Sequence, residues 1–276
     1  MRDTILFGDC RKTISTITEP VKMCVTSPPY YGLRDYGGEE NQIGMEESPE
    51  KYVEQLVNVF RSVREVLTDD GTLWLNIGDS YYNYRSDGNY PKQTVSKTNQ
   101  DLPSFSPVRG NKLEGYKSKD LIGIPWLLAF ALRKDGWYLR QDIIWNKPNP
   151  MPESVRDRCT KSHEYIFLLS KNQNYYFDVD AIKEPTRRKR SVWNVTKKGY
   201  KDAHFAVYPP ELIIPCIKAG SEKNDIILDP FIGSGTTAMV AKQLGRYYIG
   251  CELHEDYGKL IENRISQQGG TLKAFL

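Results

Sequence analysis

The chain has 276 residues, of which 39% are hydrophobic and 26% charged, and its formal net charge is only +3. Those totals exclude a polycation and leave room for one large α/β domain, or one domain with an inserted lobe. No run approaches a membrane span, and the N-terminal MRDTILFGDC lacks a signal-peptide pattern, so a cytoplasmic setting with no membrane partner is expected.

In chain order, short apolar runs rich in β-branched and aromatic residues predict strands. They cover Ile5–Phe7, Val21–Thr26, Thr72–Ile77, Tyr138–Trp145, Glu164–Leu169, Asp225–Leu228 and Tyr247–Cys251. Several are continuous rather than alternating, as expected for strands covered on both faces. Between them lie helical patterns. Pro49–Thr68 sets Val53, Leu56, Val57, Phe60, Val63 and Leu67 on one stripe, with Ser48 as N-cap and Gly71 beyond the end. Asp120–Asp135, Thr236–Leu244 and Glu255–Gln267 read as further helices, as does the stretch PPELIIPCIKAGS. Alternating strands and helices predict an open, doubly wound, mostly parallel sheet of about seven strands. Three polar stretches fit no element: residues 80–119, 146–162 and 183–203.

The five cysteines, Cys10, Cys24, Cys159, Cys216 and Cys251, are scattered without a C-x-x-C pair, which suggests neither zinc nor a disulfide framework. Charge is uneven. Arg187, Arg188, Lys189 and Arg190 form one run, with Lys197, Lys198 and Lys201 close behind. Such a run is either a solvated loop or a phosphate-contacting patch.

Two short stretches carry chemistry. VTSPPYYGLRDYGG, residues 25–38, ends a buried strand with Ser27, Pro28, Pro29 and Tyr30. Alone it reads as a Pro-rich turn. IILDPFIGSGTTAMVAK, residues 226–242, runs a strand into Asp229, turns through Gly233 and Gly235, and opens a helix at Thr236. Glycines there let the backbone approach a ligand, and the helix N-terminus favours its anionic part. The third glycine of the dinucleotide fingerprint and the GK[ST] of a phosphate loop are both missing, so neither an NAD nor an ATP site is favoured. Glu252 ends the next strand, where a βαβ unit places an acid for ribose hydroxyls; an ordinary strand-end carboxylate is the alternative.

TSPPY together with DPFIGSGTT resembles the amino-methylating DNA methyltransferases that use S-adenosyl-L-methionine. With Ser-Pro-Pro-Tyr first and the cofactor turn last, the order is similar to the beta group of that family. ILFGDC, DIIWNKPNPMP, SHEYIFLLSK and AHFAVYPPEL resemble further motifs of the group in its order, so the resemblance covers most of the chain. It implies a Rossmann-like methyltransferase sheet in a single domain over residues 1–276. Residues 80–119 would be an insertion, and residues 150–202, with Trp193 and the RRKR run, the target-recognition region. Tyr81, Tyr82, Tyr84 and Arg85 open that insertion.

The implied roles follow the motifs. Asp229, Phe231, Gly233, Ser234, Gly235 and Thr236 match the turn around the methionine part of the cofactor, and Glu252 the ribose acid. Asp9 and Cys10 match the pair beside the adenine ring. His204, Phe205 and Pro209 match the segment that closes over the cofactor. Without the family pattern, Asp9 reads as a turn residue and His204 as a core histidine. Ser27 Oγ and the Pro28 carbonyl would accept the two hydrogens of an exocyclic amine, the paired prolines would fix them, and the Tyr30 ring would stack on the base. The base would be flipped out of the duplex first. Arg187, Arg188, Lys189 and Arg190 would contact DNA, and Lys147 is either structural or near the phosphate of the flipped base. Tyr31, Arg34, Asp35 and Tyr36 either order the loop over the base or pack there.

Within the family Ser at the first motif position leans to cytosine-N4 and Asp to adenine-N6, so Ser27 favours cytosine-N4. Cys216, after Pro215, is a structural cysteine on this reading rather than a nucleophile for carbon methylation. Double-stranded DNA is the implied partner; a homodimer and a cognate restriction endonuclease stay open. A non-catalytic nucleic-acid-binding module and an RNA methyltransferase are the rival readings.

Overall fold

The computed structural model describes residues 1–32, 42–82, 112–196 and 208–266. His204, Phe205, Arg34, Asp35, Tyr36, Tyr84, Arg85, Lys197, Lys198 and Lys201 lie outside the described residues, as do residues 83–111 of the insertion.

Eight strands form one sheet: β1 (Thr4–Phe7), β2 (Val21–Thr26), β3 (Leu67–Ile77), β4 (Tyr138–Asn146), β5 (His163–Ser170), β6 (Val192–Asn194), β7 (Ile226–Asp229) and β8 (Tyr247–Glu252). Across the sheet they run β1-β8-β7-β2-β3-β5-β4-β6. Each described pairing is parallel except the two that β5 makes, with β3 and with β4. The helices are α1 (Cys10–Thr13), α2 (Pro49–Val66), α3 (Ile124–Lys134), α4 (Pro210–Gly220), α5 (Thr236–Gln243) and α6 (Gly258–Ser266).

Side-chain alternation assigns the two faces. Cys24, Leu73, Leu75 and Ile77 join the core beneath α1, α2 and α3. Met23, Val25 and Trp74, one residue out of step, join the core beneath α4 and α5. The doubly wound, mostly parallel sheet expected from the sequence is therefore present.

Four details differ. Val192–Asn194 is an eighth strand inside a stretch that reads as irregular; Trp193 is buried and gives it an inward anchor. Leu67 belongs to β3 rather than to the preceding helix, and Gly71 lies within that strand instead of stopping the helix. Helix α3 begins at Ile124 rather than Asp120, because Gly123 takes a left-handed turn and Asp79 caps the exposed amides. The C-terminal helix is split into a 3-10 turn at Glu255–Tyr257 and α6.

The two ends of the 80–119 stretch are clasped together. Tyr81 bridges Leu121, and Tyr82 exchanges backbone hydrogen bonds with Lys119 and Asp120. This stem meets the segment before β5: Lys119 pairs with Asp157 at 2.6 Å, and the Arg158 guanidinium lies 3.8 Å from the Tyr81 ring centroid.

Candidate active site and cofactor turn

A parallel sheet delivers all its strand ends to one edge, and ligands of open α/β sheets sit there, where the strand order reverses. From β7 the chain winds through α5 to β8 on one side. From β2 it winds through α2 to β3 on the other. The reversal therefore lies between β7 and β2, which are paired neighbours. Asp229 ends β7 and Thr26 ends β2, and their side chains meet, Thr26 Oγ1 donating to Asp229 Oδ1 at 2.5 Å. Ser27 follows directly. The Ser-Pro-Pro-Tyr turn and the glycine turn, some 200 residues apart in sequence, thus flank one crevice.

The glycine turn is held from within. Asp229 is 1% exposed and accepts four hydrogen bonds, from Thr26, from Thr237 Oγ1 at 2.5 Å, from Tyr208 at 3.0 Å and from the Phe231 amide at 3.0 Å. Burial raises its pKa, and the donors work against that rise. Its carboxylate is therefore saturated by the protein. Ser234 also faces inward, accepting from Arg264 of α6 at 2.8 Å. Gly235 has φ of +83°, and a Cβ there would stand 3.0 Å from Ile261. Phe231 is half-buried and packs against the core beneath α1, α2 and α3. Pro209 is buried and precedes α4 as its N-cap, its carbonyl accepting from Leu212 at 3.0 Å.

Two groups, one at the turn and one at the end of β8, are left for a ligand. Thr236 Oγ1 is buried without a partner among the described residues. Glu252, at the end of β8, is pushed up to about 7 by burial, against backbone hydrogen bonds from His254, Gly233 and Leu253. A carboxylate with so high a proton affinity suits a ligand that brings hydroxyl donors. The glycine backbone, the orphaned hydroxyl and this acid fit a nucleoside-type ligand.

Asp9 ends the loop after β1, beside Glu252, since Gly8 N donates to Glu252 O at 2.8 Å. Its carboxylate caps α1 and grips Arg11 through three contacts of 2.8 to 3.0 Å. Burial alone would raise Asp9, but Arg11 holds it below its ordinary value. Cys10 is buried and its thiol is pushed up by burial. Cys216 is likewise buried and raised, its thiol facing the Leu212 carbonyl at 3.6 Å.

On the β2 side the tyrosine is tethered. Tyr30 OH donates to Glu164 Oε2 at 2.8 Å, and the ring lies over Gly78, where a Cβ would come within 2.7 Å of Cε2. Burial raises the Tyr30 phenol well above its usual range, and the Glu164 carboxylate adds to that, so the hydroxyl stays a donor. Glu164 is itself ion-paired with Lys147 and accepts from Asn76 at 3.4 Å. Tyr52 OH donates to the Pro29 carbonyl at 2.7 Å. Lys147 thus turns toward Glu164, with its ammonium 4.3 Å from the Trp145 ring centroid. Sequence patterns do not single out Glu164, Asn76, Gly78 or Asp79. The signal that could have found the first is a charged pair at facing ends of adjacent strands, Glu164 near the start of β5 where β4 runs into Lys147.

The basic run sits beside β6. Arg188 and Arg190 are exposed, Arg187 pairs with Glu184 at 2.6 Å, and Lys189 lies 5.0 Å from the Trp193 ring centroid.

A family described as DNA methylase (N6/N4 methyltransferases) matches residues 21–263. Type II methyltransferase M.SmaI of Serratia marcescens is 50% identical over 95% of this chain and 90% of its own length. Type II methyltransferase M.Cfr9I of Citrobacter freundii is 49% identical over 95% of this chain and 87% of its own. Among solved structures, the PvuII DNA methyltransferase (cytosine-N4-specific) superposes with a TM-score of 0.72 over 96% of this chain and 86% of that one, at 17% identity. TTHA0409 of Thermus thermophilus, a putative DNA modification methylase complexed with S-adenosyl-L-methionine, gives 0.67 over 97% and 95%, at 24% identity.

Proposed function

Because the chain belongs to the N6/N4 DNA methylase family, we propose that it methylates the N4 amine of a cytosine flipped out of duplex DNA, at a defined site. The chain is a DNA methyltransferase whose cofactor is S-adenosyl-L-methionine. The observation that carries the finer reading is Ser27, rather than an Asp, opening the Ser27-Pro28-Pro29-Tyr30 turn at the end of β2, against the glycine turn after β7.

An exocyclic amine is a poor nucleophile, because its lone pair is delocalised into the base ring. Two acceptors, Ser27 Oγ and the Pro28 carbonyl, would hold its hydrogens and favour a tetrahedral nitrogen. Proline fixes φ on both sides of that carbonyl. The Tyr30 ring, fixed by Glu164 and Gly78, offers a face for the base. Glu252, Thr236 and the Gly233–Gly235 backbone would hold the cofactor, which supplies an electrophilic methyl on a sulfonium. Most of the rate enhancement then comes from positioning. The proton released afterwards would leave through Ser27 or water.

Arg188 and Arg190, with Arg187 and Lys189, would meet DNA within the recognition region 150–202. The relatives named as Type II methyltransferases support a restriction-modification setting with a cognate endonuclease, in the cytoplasm. Among the described residues no helix is long and apolar enough to cross a membrane.

Mass spectrometry of nucleosides from DNA treated with the purified protein and cofactor tests this. N4-methylcytosine is expected. N6-methyladenine would replace the cytosine reading, and absence of any methylated nucleoside across mixed-sequence DNAs would remove the proposal.

A further inference from the structure

Lys161 stands just before β5, on the edge that carries Tyr30 and Glu164. Its side-chain nitrogen is buried and has no hydrogen-bond partner among the described residues. An ammonium has three donors, and burying one unpaired is costly enough to require an account. The carboxylates that act on it are Asp79 and Glu164, and the cations are Lys147 and Arg158.

Both carboxylates are already engaged. Asp79 accepts from the amides of Ser80, Gly123 and Ile124 at 2.9 to 3.1 Å. Glu164 accepts from Tyr30 and Asn76 and pairs with Lys147. Glu153, which accepts from the Lys161 amide at 3.3 Å, is paired with Arg158 at 2.6 Å. The protein therefore supplies donors in excess at this spot, and the missing partner is an acceptor. Burial depresses the Lys161 amine, against the pull of Asp79 and Glu164, as expected for a charge whose counter-group is absent.

We propose that the Lys161 ammonium is a specificity-determining contact for the target base, donating to the ring nitrogen N3 and carbonyl O2 of the flipped cytosine. The proposal rests on the cytosine-N4 reading and goes beyond it by naming how the rest of the base edge is held. Along its Watson–Crick edge cytosine presents N3 and then O2 after the amine, whereas adenine presents N1 and then a C–H. With the amine hydrogens accepted at Ser27 and the adjoining acceptors met by a cation, the donor–acceptor–acceptor order of the edge is read in full. The same charge disfavours protonation of N3, which would withdraw still more of the amine lone pair.

The test uses Lys161→Met in the full chain, on duplexes carrying the site that the wild-type enzyme modifies in plasmid DNA. Removing the ammonium is expected to lower kcat/KM about 10- to 100-fold, with cofactor affinity unchanged. Replacing the target base by 3-deazacytosine, which lacks the N3 acceptor, should slow the wild type. The losses from variant and analogue should overlap rather than multiply, because both remove one interaction. Lys161→Arg, which keeps the donors, should retain most of the activity. Melting temperature should stay level or rise in Lys161→Met, since an unpaired buried charge is removed.

Fully multiplicative losses, or unaltered kcat/KM in Lys161→Met, would overturn the proposal. So would a drop of about 0.9 in the salt slope of DNA binding, which marks a phosphate contact instead. Unfolding of both variants would make the ammonium structural and likewise overturn it. Failure of the underlying reading is separate: it would show as N6-methyladenine in the wild-type product, before any variant is made.

Discussion

Glu252 titrates at about 7 because burial outweighs the backbone amides that favour its charge. Its ordinary value is 4.5, so the folded chain holds this proton more tightly than the unfolded chain does. Without cofactor, that contribution to stability is full below about pH 4.5 and is lost as pH rises through about 7. Ribose hydroxyls favour the ionised carboxylate, so cofactor affinity should move the opposite way and rise through the same window. Calorimetric titration should give a cofactor Kd roughly tenfold weaker at pH 6 than at pH 8. Glu252→Gln should bind weakly at both, and an equal Kd in the wild type would contradict the role. Ser27 makes a different kind of prediction. Ser27→Ala should lower kcat on the order of 10²- to 10³-fold, as removal of one transition-state hydrogen bond does, and leave cofactor binding intact. The sequence exposed Ser27 and Glu252 because each ends an apolar run. It concealed Lys161 and Glu164, whose meaning depends on which strand ends become neighbours.

Strand β6 shows why some elements escape a reading by pattern. Three residues are too few to display a period, and Val192–Asn194 lies in a basic, polar stretch. Its pairing with β4 supplies the information instead: the Trp145 indole donates to the Val195 carbonyl at 2.8 Å, and Asn146 meets Asn194 at 2.7 Å. Trp193 is 5% exposed and donates through Nε1 to the Arg190 carbonyl at 2.7 Å, so one side chain anchors both the strand and the end of the basic run. Trp193→Ala should cost about 3–5 kcal/mol in urea unfolding. Val192→Ala, at an exposed position of the same strand, should change stability by no more than about 0.5 kcal/mol. Equal effects of the two would mean that β6 does not hold the run in place. The longer strands and α2 are legible because continuous or periodic apolar patterns survive any tertiary context. Leu67 belongs to β3 instead of the helix because it pairs with Val21 of β2, and the ladder resumes at Thr72 after a register shift.

With a net charge of only +3, attraction to DNA has to come from where the cations sit. Arg188 and Arg190 are exposed and form no ion pair among the described residues, while Arg187 is held by Glu184. Replacing Arg188 and Arg190 by Ala should lower the slope of log K against log salt by about 0.9 for each phosphate no longer neutralised. Arg187→Ala should lower it less, and an unchanged slope in the double variant would move the DNA elsewhere. The sheet order has a further consequence for how the molecule is made. β1 lies beside β8, and β7 and β8 are slotted between β1 and β2. During synthesis the first strand emerges with no neighbour to pair with, and its place in the sheet stays unfilled until the last-made strands arrive. Closure over nearly the whole chain is slow relative to local folding. The half that would hold the base can therefore assemble on the ribosome well before the half that would hold the methyl donor, so a growing chain completes the proposed cofactor site only after β7 and β8 are made.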